Sequence, residues 1–180
     1  MTRFVMVFHG DKVRVEKGLP IQTWVNPPLS TQGMAKILAM VPTIKALGPF
    51  EEMFSSRLAR AVDTASVLAL ELGLDFRTLS SLGQYGNKDG DDVAYYPLHE
   101  ADGYLTWQGD GVASLRTISA WRSDCNVLAI SHRPIIGGLI AHTRGITDEA
   151  GIKAIVNDAA ITEKGYVVFE VENGAITLIE

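Results

Sequence analysis

The chain contains 180 residues, of which 47% are hydrophobic and 21% are charged, and its formal net charge is -5 at pH 7. This length and apolar content predict one domain, residues 1–180, with a sizeable buried core. The negative charge excludes the basic field that nonspecific nucleic-acid binding requires, so no nucleic-acid partner is expected. The single cysteine, Cys125, excludes an internal disulfide framework and a cysteine-rich zinc cluster. Because no apolar run is long enough to span a bilayer, we expect a cytoplasmic protein without a membrane partner.

Strands and helices are predicted to alternate along the chain. Short apolar runs, typical of strands buried on both faces, predict strands at residues 4–8 and 126–130 and shorter ones at 50–54 and 75–79. Helical periodicity predicts helices at residues 32–47, 58–72, 112–121 and 135–143, the first capped by Ser30 or Thr31 and the second by Ser55 or Ser56. Residues 166–171 and 175–179 flank Asn173-Gly174, which favours a tight turn and predicts a C-terminal antiparallel hairpin.

This alternation predicts an α/β fold, with a mostly parallel central sheet flanked by helices on both faces. In such sheets ligands bind beyond the carboxyl ends of the strands, and His9 and His132 each directly follow a predicted strand. Arg60 falls in the first turn of the helix predicted at residues 58–72, where free N–H groups and the helix dipole favour an anion. The sequence therefore predicts a phosphate pocket built from His9, Arg60 and His132.

Such a pocket has the groups that phosphoryl transfer needs. A neutral imidazole can attack phosphorus in line, while a guanidinium and further N–H donors stabilise charge on the equatorial oxygens. An alkoxide leaving group also needs a proton, normally from a carboxylic acid whose environment raises its pKa. The proton donor must therefore be a residue other than His9, Arg60 and His132.

Four short motifs occur in the order typical of one known family. They are His9-Gly10, PLSTQG at residues 28–33, SSRLARAVDTA at residues 55–65, and LAISH ending at His132. On these motifs the chain resembles the histidine phosphatase superfamily, whose fold is phosphoglycerate mutase-like. The resemblance implies that His9 is the nucleophile that becomes phosphohistidine, that Arg60 clamps the phosphate and that His132 is a second phosphate ligand. Neither a metal nor another cofactor is expected.

One departure from the family pattern concerns the phosphate clamp. Relatives have Arg-His-Gly, whereas Phe8 precedes His9 here, so one of two guanidinium groups on the phosphate is missing. Removing such a contact costs on the order of a few kcal/mol of transition-state stabilisation. Arg57 and Arg133 are the candidates to replace it, and the sequence leaves open whether either does.

A second departure concerns the proton donor. Relatives often carry L-x-E after the helix that holds the arginine, but Leu82-Gly83-Gln84 places an amide there. Several groups that can carry a proton follow in the same connection, namely Asp89, Asp91, Asp92, His99 and Glu100. Loop aspartates are most often solvated turn residues, which favours Glu100 or His99 as the donor.

The predicted function is therefore a phosphomonoesterase of reduced activity that acts on a small phosphorylated molecule through a phosphohistidine on His9. The alternative, motivated by Phe8 and Gln84, is a catalytically impaired protein that binds a phosphorylated ligand or a protein partner. A mutase is less favoured, because the short chain leaves little material to cover the site. A metal hydrolase using His9, His99 and His132 is disfavoured, because the sequence has no HExxH or comparable local spacing.

Overall fold

Six strands form the central sheet of the computed structural model, which describes residues 1–14, 26–83 and 100–179. In chain order they are β1 (Thr2–Phe8), β2 (Glu52–Ser55), β3 (Arg77–Thr78), β4 (Asn126–Ser131), β5 (Tyr166–Glu172) and β6 (Ala175–Leu178). Their spatial order is β3-β2-β4-β1-β5-β6. Strands β1 to β4 pair in parallel, whereas β5 pairs antiparallel with both β1 and β6. The predicted mostly parallel sheet and its C-terminal hairpin are confirmed.

Helices cover both faces of this sheet, as predicted. They are α1 (Thr31–Leu47), α2 (Ala59–Leu72), α3 (Glu100–Trp121), α4 (Arg133–Thr143) and α5 (Glu149–Asn157), and short 3₁₀ turns lie at Ser80–Leu82 and Ala159–Thr162. No helix in the described ranges is both long enough and apolar enough to cross a membrane.

The first strand shows why both faces need covering. The side chains of Phe4 and Met6 pack into one core cluster, together with residues of α3 and α4. Those of Val5 and Val7 point the opposite way and pack against α1 and α2. Successive side chains of a strand alternate between faces, so a continuous apolar run is stable only between two helical layers.

The prediction of the third helix needs correction. This helix begins at Glu100 rather than at residue 112. The sequence signal for its first half is weak, because Gly103, Gly109 and Gly111 have low helix propensity. Gly111 also has a packing role, since a Cβ there would lie 3.0 Å from the Leu139 side chain on α4. The fifth helix was not predicted.

The predicted caps were half right. Ser30 caps α1, its hydroxyl accepting a hydrogen bond from the Gly33 N–H at 3.0 Å. By contrast α2 begins after Leu58, which provides no side-chain cap. Neither Ser55 nor Ser56 occupies the cap position. Ser55 is the last residue of β2, and the hydroxyl of Ser56 hydrogen-bonds to His132.

The start of α1 packs directly onto the chain that follows the first strand. Both the backbone N–H and the hydroxyl of Ser30 donate to the carbonyl of Asp11, each at 2.8 Å. A Cβ at Gly33 would overlap that carbonyl oxygen and lie 2.7 Å from the Asp11 nitrogen. The glycine therefore permits the contact that fixes residues 9–11 against α1.

Replacing Gly33 with alanine is expected to lower the free energy of unfolding by about 1–3 kcal/mol, because backbone atoms must move to accept the new methyl group. The matched control is Gly109→Ala on α3, where nothing lies within 4 Å of the added Cβ. That control should be neutral or stabilising by up to about 1 kcal/mol, through improved helix propensity. Urea unfolding of both variants measures the difference, and equal stabilities would contradict the close contact.

Candidate active site

Two histidines meet at the carboxyl edge of the sheet. Phe8 and Ser131 are directly paired between β1 and β4, and the next residues along the chain are His9 and His132. The His9 N–H extends the ladder by donating to the Ser131 carbonyl at 3.1 Å. The two imidazole rings consequently lie 4.8 Å apart between centroids, tilted by 56°. The strand pairing alone brings together residues that are far apart in the sequence.

The second residue of α2 completes this cluster. Arg60 is 2% exposed, and its Nε lies 3.2 Å from Nε2 of His9. The helix starts at the same edge of the sheet, so its N-terminal dipole adds positive potential where the guanidinium is placed. The structure therefore brings together the three residues singled out in the sequence.

Hydrogen bonds fix which nitrogen of His9 carries the proton. Nδ1 lies 2.7 Å from the carbonyl oxygen of Gly10, which can only accept, so Nδ1 carries the hydrogen. Nε2 then keeps its lone pair and accepts the N–H of Arg60. Burial, helped by the charge of Arg60, lowers the pKa of His9 from 6.5 to about 4, against the opposing effect of the Gly10 bond. The imidazole is neutral and nucleophilic near neutral pH.

His132 is fully buried and is held by a serine. Its Nε2 lies 2.8 Å from Oγ of Ser56, and the same Oγ accepts the N–H of Leu58 at 3.2 Å. The Ser56 hydroxyl can donate its hydrogen to Nε2, and the imidazole hydrogen then lies on Nδ1. The Nδ1 atom is buried and has no hydrogen-bond partner among residues 1–14, 26–83 and 100–179. Burial lowers the pKa of His132 well below its usual value, so this ring is also neutral.

Sequence reasoning missed Thr64, which ties the backbone of Gly10, directly after His9, to α2. Its hydroxyl accepts the Gly10 N–H at 3.0 Å and donates to the Arg60 carbonyl at 2.7 Å. The side chain is fully buried, one helical turn after Arg60. The signal was present, since a threonine four residues after an arginine lies on the same helix face.

Comparison with known protein families shows where this chain belongs. The model of the histidine phosphatase superfamily (branch 1) matches residues 4–113, which include His9 and Arg60. The chain belongs to this superfamily. No curated protein matches the sequence.

Solved structures share the histidine phosphatase fold over nearly the whole chain. A phosphoserine phosphatase from Entamoeba histolytica, in complex with phosphoserine, has a TM-score of 0.68 at 13% identity, covering 100% of this chain and 96% of that one. The protein histidine phosphatase SixA, complexed with tungstate, has a TM-score of 0.64 at 19% identity, with coverages of 99% and 94%. A mycobacterial glucosyl-3-phosphoglycerate phosphatase has a TM-score of 0.67 at 18% identity, with coverages of 98% and 95%.

The position before His9 distinguishes this member of the superfamily from the Arg-His-Gly pattern. Phe8 is 8% exposed and belongs to the core cluster that includes α3 and α4. Of the two candidate replacements, Arg57 is exposed, whereas Arg133 is partly buried at the start of α4. Arg133 lines a cavity of about 650 Å³ together with Phe8 and His9.

The structure describes the side chain of none of the proton-donor candidates. His99, Gln84 and the loop aspartates Asp89, Asp91 and Asp92 are not among the described residues. Glu100 begins α3, and its side chain is likewise outside the described part. In the ranges that are described, no three His, Cys, Asp or Glu side chains come together as metal ligands.

The His9 environment predicts an unusual titration. Because its pKa is lowered to about 4, the ring should stay neutral as the pH falls through 6.5, where an ordinary histidine gains a proton. The Cε1–H resonance of His9, assigned by its loss in His9→Ala, should therefore shift little between about pH 8 and 5.5 in an NMR titration. A midpoint near the ordinary value would show that the ring is solvated and the described burial is wrong.

Proposed function

We propose that this histidine phosphatase is a phosphomonoesterase that transfers the phosphoryl group of a small phosphorylated molecule first to His9 and then to water. One observation carries the proposal: a neutral imidazole whose reactive Nε2 is held 3.2 Å from the guanidinium of Arg60, with the ring of His132 beside it. The proposed nucleophile, His9, and the proposed anion-binding groups, Arg60 and His132, therefore lie together in one buried cluster.

In the first step the Nε2 lone pair of His9 attacks phosphorus opposite the leaving oxygen. An N–P bond forms, the bond from phosphorus to the leaving oxygen breaks, and that oxygen takes a proton. The ring gains positive charge, which the Nδ1–H to Gly10 carbonyl bond at 2.7 Å stabilises. In the second step the deprotonated donor takes a proton from water as the water oxygen attacks phosphorus, the N–P bond breaks and phosphate leaves, which restores both the neutral imidazole and the protonated donor.

Arg60 and His132 act on the oxygens of the transferring group. Phosphate entering between His9 and Arg60 replaces the direct bond between them, so the Arg60 N–H turns from the imidazole to a phosphoryl oxygen. The unpartnered Nδ1 of His132 supplies a second donor. Both groups are almost inaccessible to solvent, and preorganised donors in such surroundings stabilise developing charge strongly.

The proton for the leaving oxygen is proposed to come from Glu100 or His99. Glu100 is the first residue of α3, and His99 immediately precedes it. A carboxylic acid is the usual donor for an alkoxide, and a protonated imidazole is the other side chain suited to this task near neutral pH. Position 84 holds a glutamine, whose amide cannot serve as the acid. An alkoxide therefore needs a proton donor from another position in the chain.

The structural relatives favour phosphatase chemistry on small phosphorylated molecules. Those described above are a phosphoserine phosphatase, a protein histidine phosphatase and a glucosyl-3-phosphoglycerate phosphatase. Their substrates differ while the fold is shared, so the fold supports the reaction class more than any single substrate. The comparisons lend no support to the alternative of an impaired phospholigand-binding protein.

The direct test replaces the nucleophile. His9→Ala should lower kcat/KM for p-nitrophenyl phosphate by about 1,000-fold or more, because no other group can form the covalent intermediate. Wild-type protein quenched during turnover should carry an acid-labile phosphoryl group that His9→Ala lacks. His142→Ala is the matched control, since His142 lies at the opposite end of α4 from His132 and should leave the rate unchanged.

Two results would refute this function. One is hydrolysis by His9→Ala at the wild-type rate. The other is an absence of phosphate release by wild-type protein, from p-nitrophenyl phosphate and from a panel of phosphorylated metabolites that includes phosphoserine and phosphoglycerates. In that case measured binding of these compounds without turnover would favour the impaired-protein alternative.

A further inference from the structure

The proposed phosphate site has a deficit of positive charge at one position. Phe8 fills the place from which the family's Arg-His-Gly pattern would direct a guanidinium, and its side chain is packed among apolar groups. Arg60 provides one cation, but a transferring phosphoryl group spreads negative charge over three equatorial oxygens. Another cation near the same edge of the sheet would offset the loss.

The structure places an arginine just beyond the end of the neighbouring strand. Phe8 pairs with Ser131, so the two strands end side by side. Phe8 directly precedes His9, and Arg133 directly follows His132. Arg133 is the first residue of α4, whose N-cap is His132, so its stem starts at a positive helix terminus. Phe8, His9 and Arg133 line the same cavity.

The state of the Arg133 side chain points to an oxyanion. Nε and Nη2 are buried, and neither has a hydrogen-bond partner in the part of the chain that the structure describes. These two nitrogens form one edge of the guanidinium, from which two parallel N–H groups reach two oxygens of the same phosphate or carboxylate. Leaving charged donors buried and unsatisfied is destabilising, so these two N–H groups need an acceptor from outside the described protein groups, for which an oxyanion has the right charge and geometry.

We propose that Arg133 supplies the second guanidinium of the phosphoryl site, and that its Nε–Nη2 edge binds two oxygens of the transferring group. The cation has thus moved from the residue before the nucleophilic histidine to the residue after the second histidine. This inference rests on the phosphomonoesterase function proposed above. It assigns Arg133, and not Arg57, because Arg57 is exposed to solvent.

The test compares the activity of variants at Arg133 with that of a control variant at an exposed arginine of the same helix. Arg133→Ala should lower kcat/KM for p-nitrophenyl phosphate by about 100-fold and weaken orthovanadate binding, measured by calorimetry. Arg133→Lys should recover little of this loss, because an ammonium cannot form the two-pronged contact. Added guanidinium ion at millimolar concentration should restore part of the activity of Arg133→Ala but none of that of His9→Ala. Arg144→Ala is the control, since Arg144 is exposed at the other end of α4.

The outcomes separate the inference from the function on which it rests. If Arg133→Ala keeps activity within about threefold of wild type while His9→Ala is inactive, the role of Arg133 is wrong and the phosphatase stands. A larger loss in Arg57→Ala than in Arg133→Ala would also overturn it. If wild-type protein neither turns over substrate nor binds orthovanadate, the proposed function itself fails. Should Arg133→Ala not fold, as judged by circular dichroism, Arg133→Met keeps the apolar stem and is measured in its place.

Discussion

The parallel pairing of β1 with β4 is the constraint on which the rest of the structure depends. Its register sets Phe8 opposite Ser131, and the histidines that follow therefore meet. A slip of one residue would turn every side chain of the shifted strand to the other face, which would exchange the large Phe4 and Met6 with the smaller Val5 and Val7 in the two core clusters and separate the imidazoles. The hydrophobic packing that fixes this register, with Phe4 and Met6 on one face and Val5 and Val7 on the other, thus also assembles the site.

The same burial that stabilises the core sets the chemistry at its edge. It lowers the pKa of His9 and His132, so that both rings are neutral where a solvated histidine is partly charged. Among the described residues, it also leaves polar atoms of His132 and Arg133 without hydrogen-bond partners. A buried polar group without a partner costs about 1–3 kcal/mol. In the proposed function a bound oxyanion would offset this cost, because its oxygens would accept hydrogen bonds from these groups.

Much of the fold follows from local sequence signals. Apolar runs located β1 and β4, the Ser30 cap located the start of α1, and Asn173-Gly174, with φ angles of 51° and 80°, located the final hairpin. The first half of α3 escaped detection because its glycines, including the Gly111 that contacts α4, read as helix breakers. Local propensity does not report a glycine kept for close helix packing.

The sequence predicted the three central residues of the site but not the hydrogen bonds that position them. Strand-end histidines and a helix-start arginine follow from the alternation of elements, so their meeting needs no side-chain detail. Thr64 and the orientation of Ser56 toward His132 depend on hydrogen bonds between distant segments, which periodicity does not encode. The choice between Arg57 and Arg133 likewise depends on where α2 and α4 start relative to the sheet.

The most direct measurement is a crystal structure of the wild-type protein with orthovanadate. The account predicts vanadium within bonding distance of His9 Nε2, with its oxygens in hydrogen-bond reach of Arg60 and of His132 Nδ1. An anion bound at another part of the surface, or the imidazoles of His9 and His132 turned away from each other around it, would contradict the account.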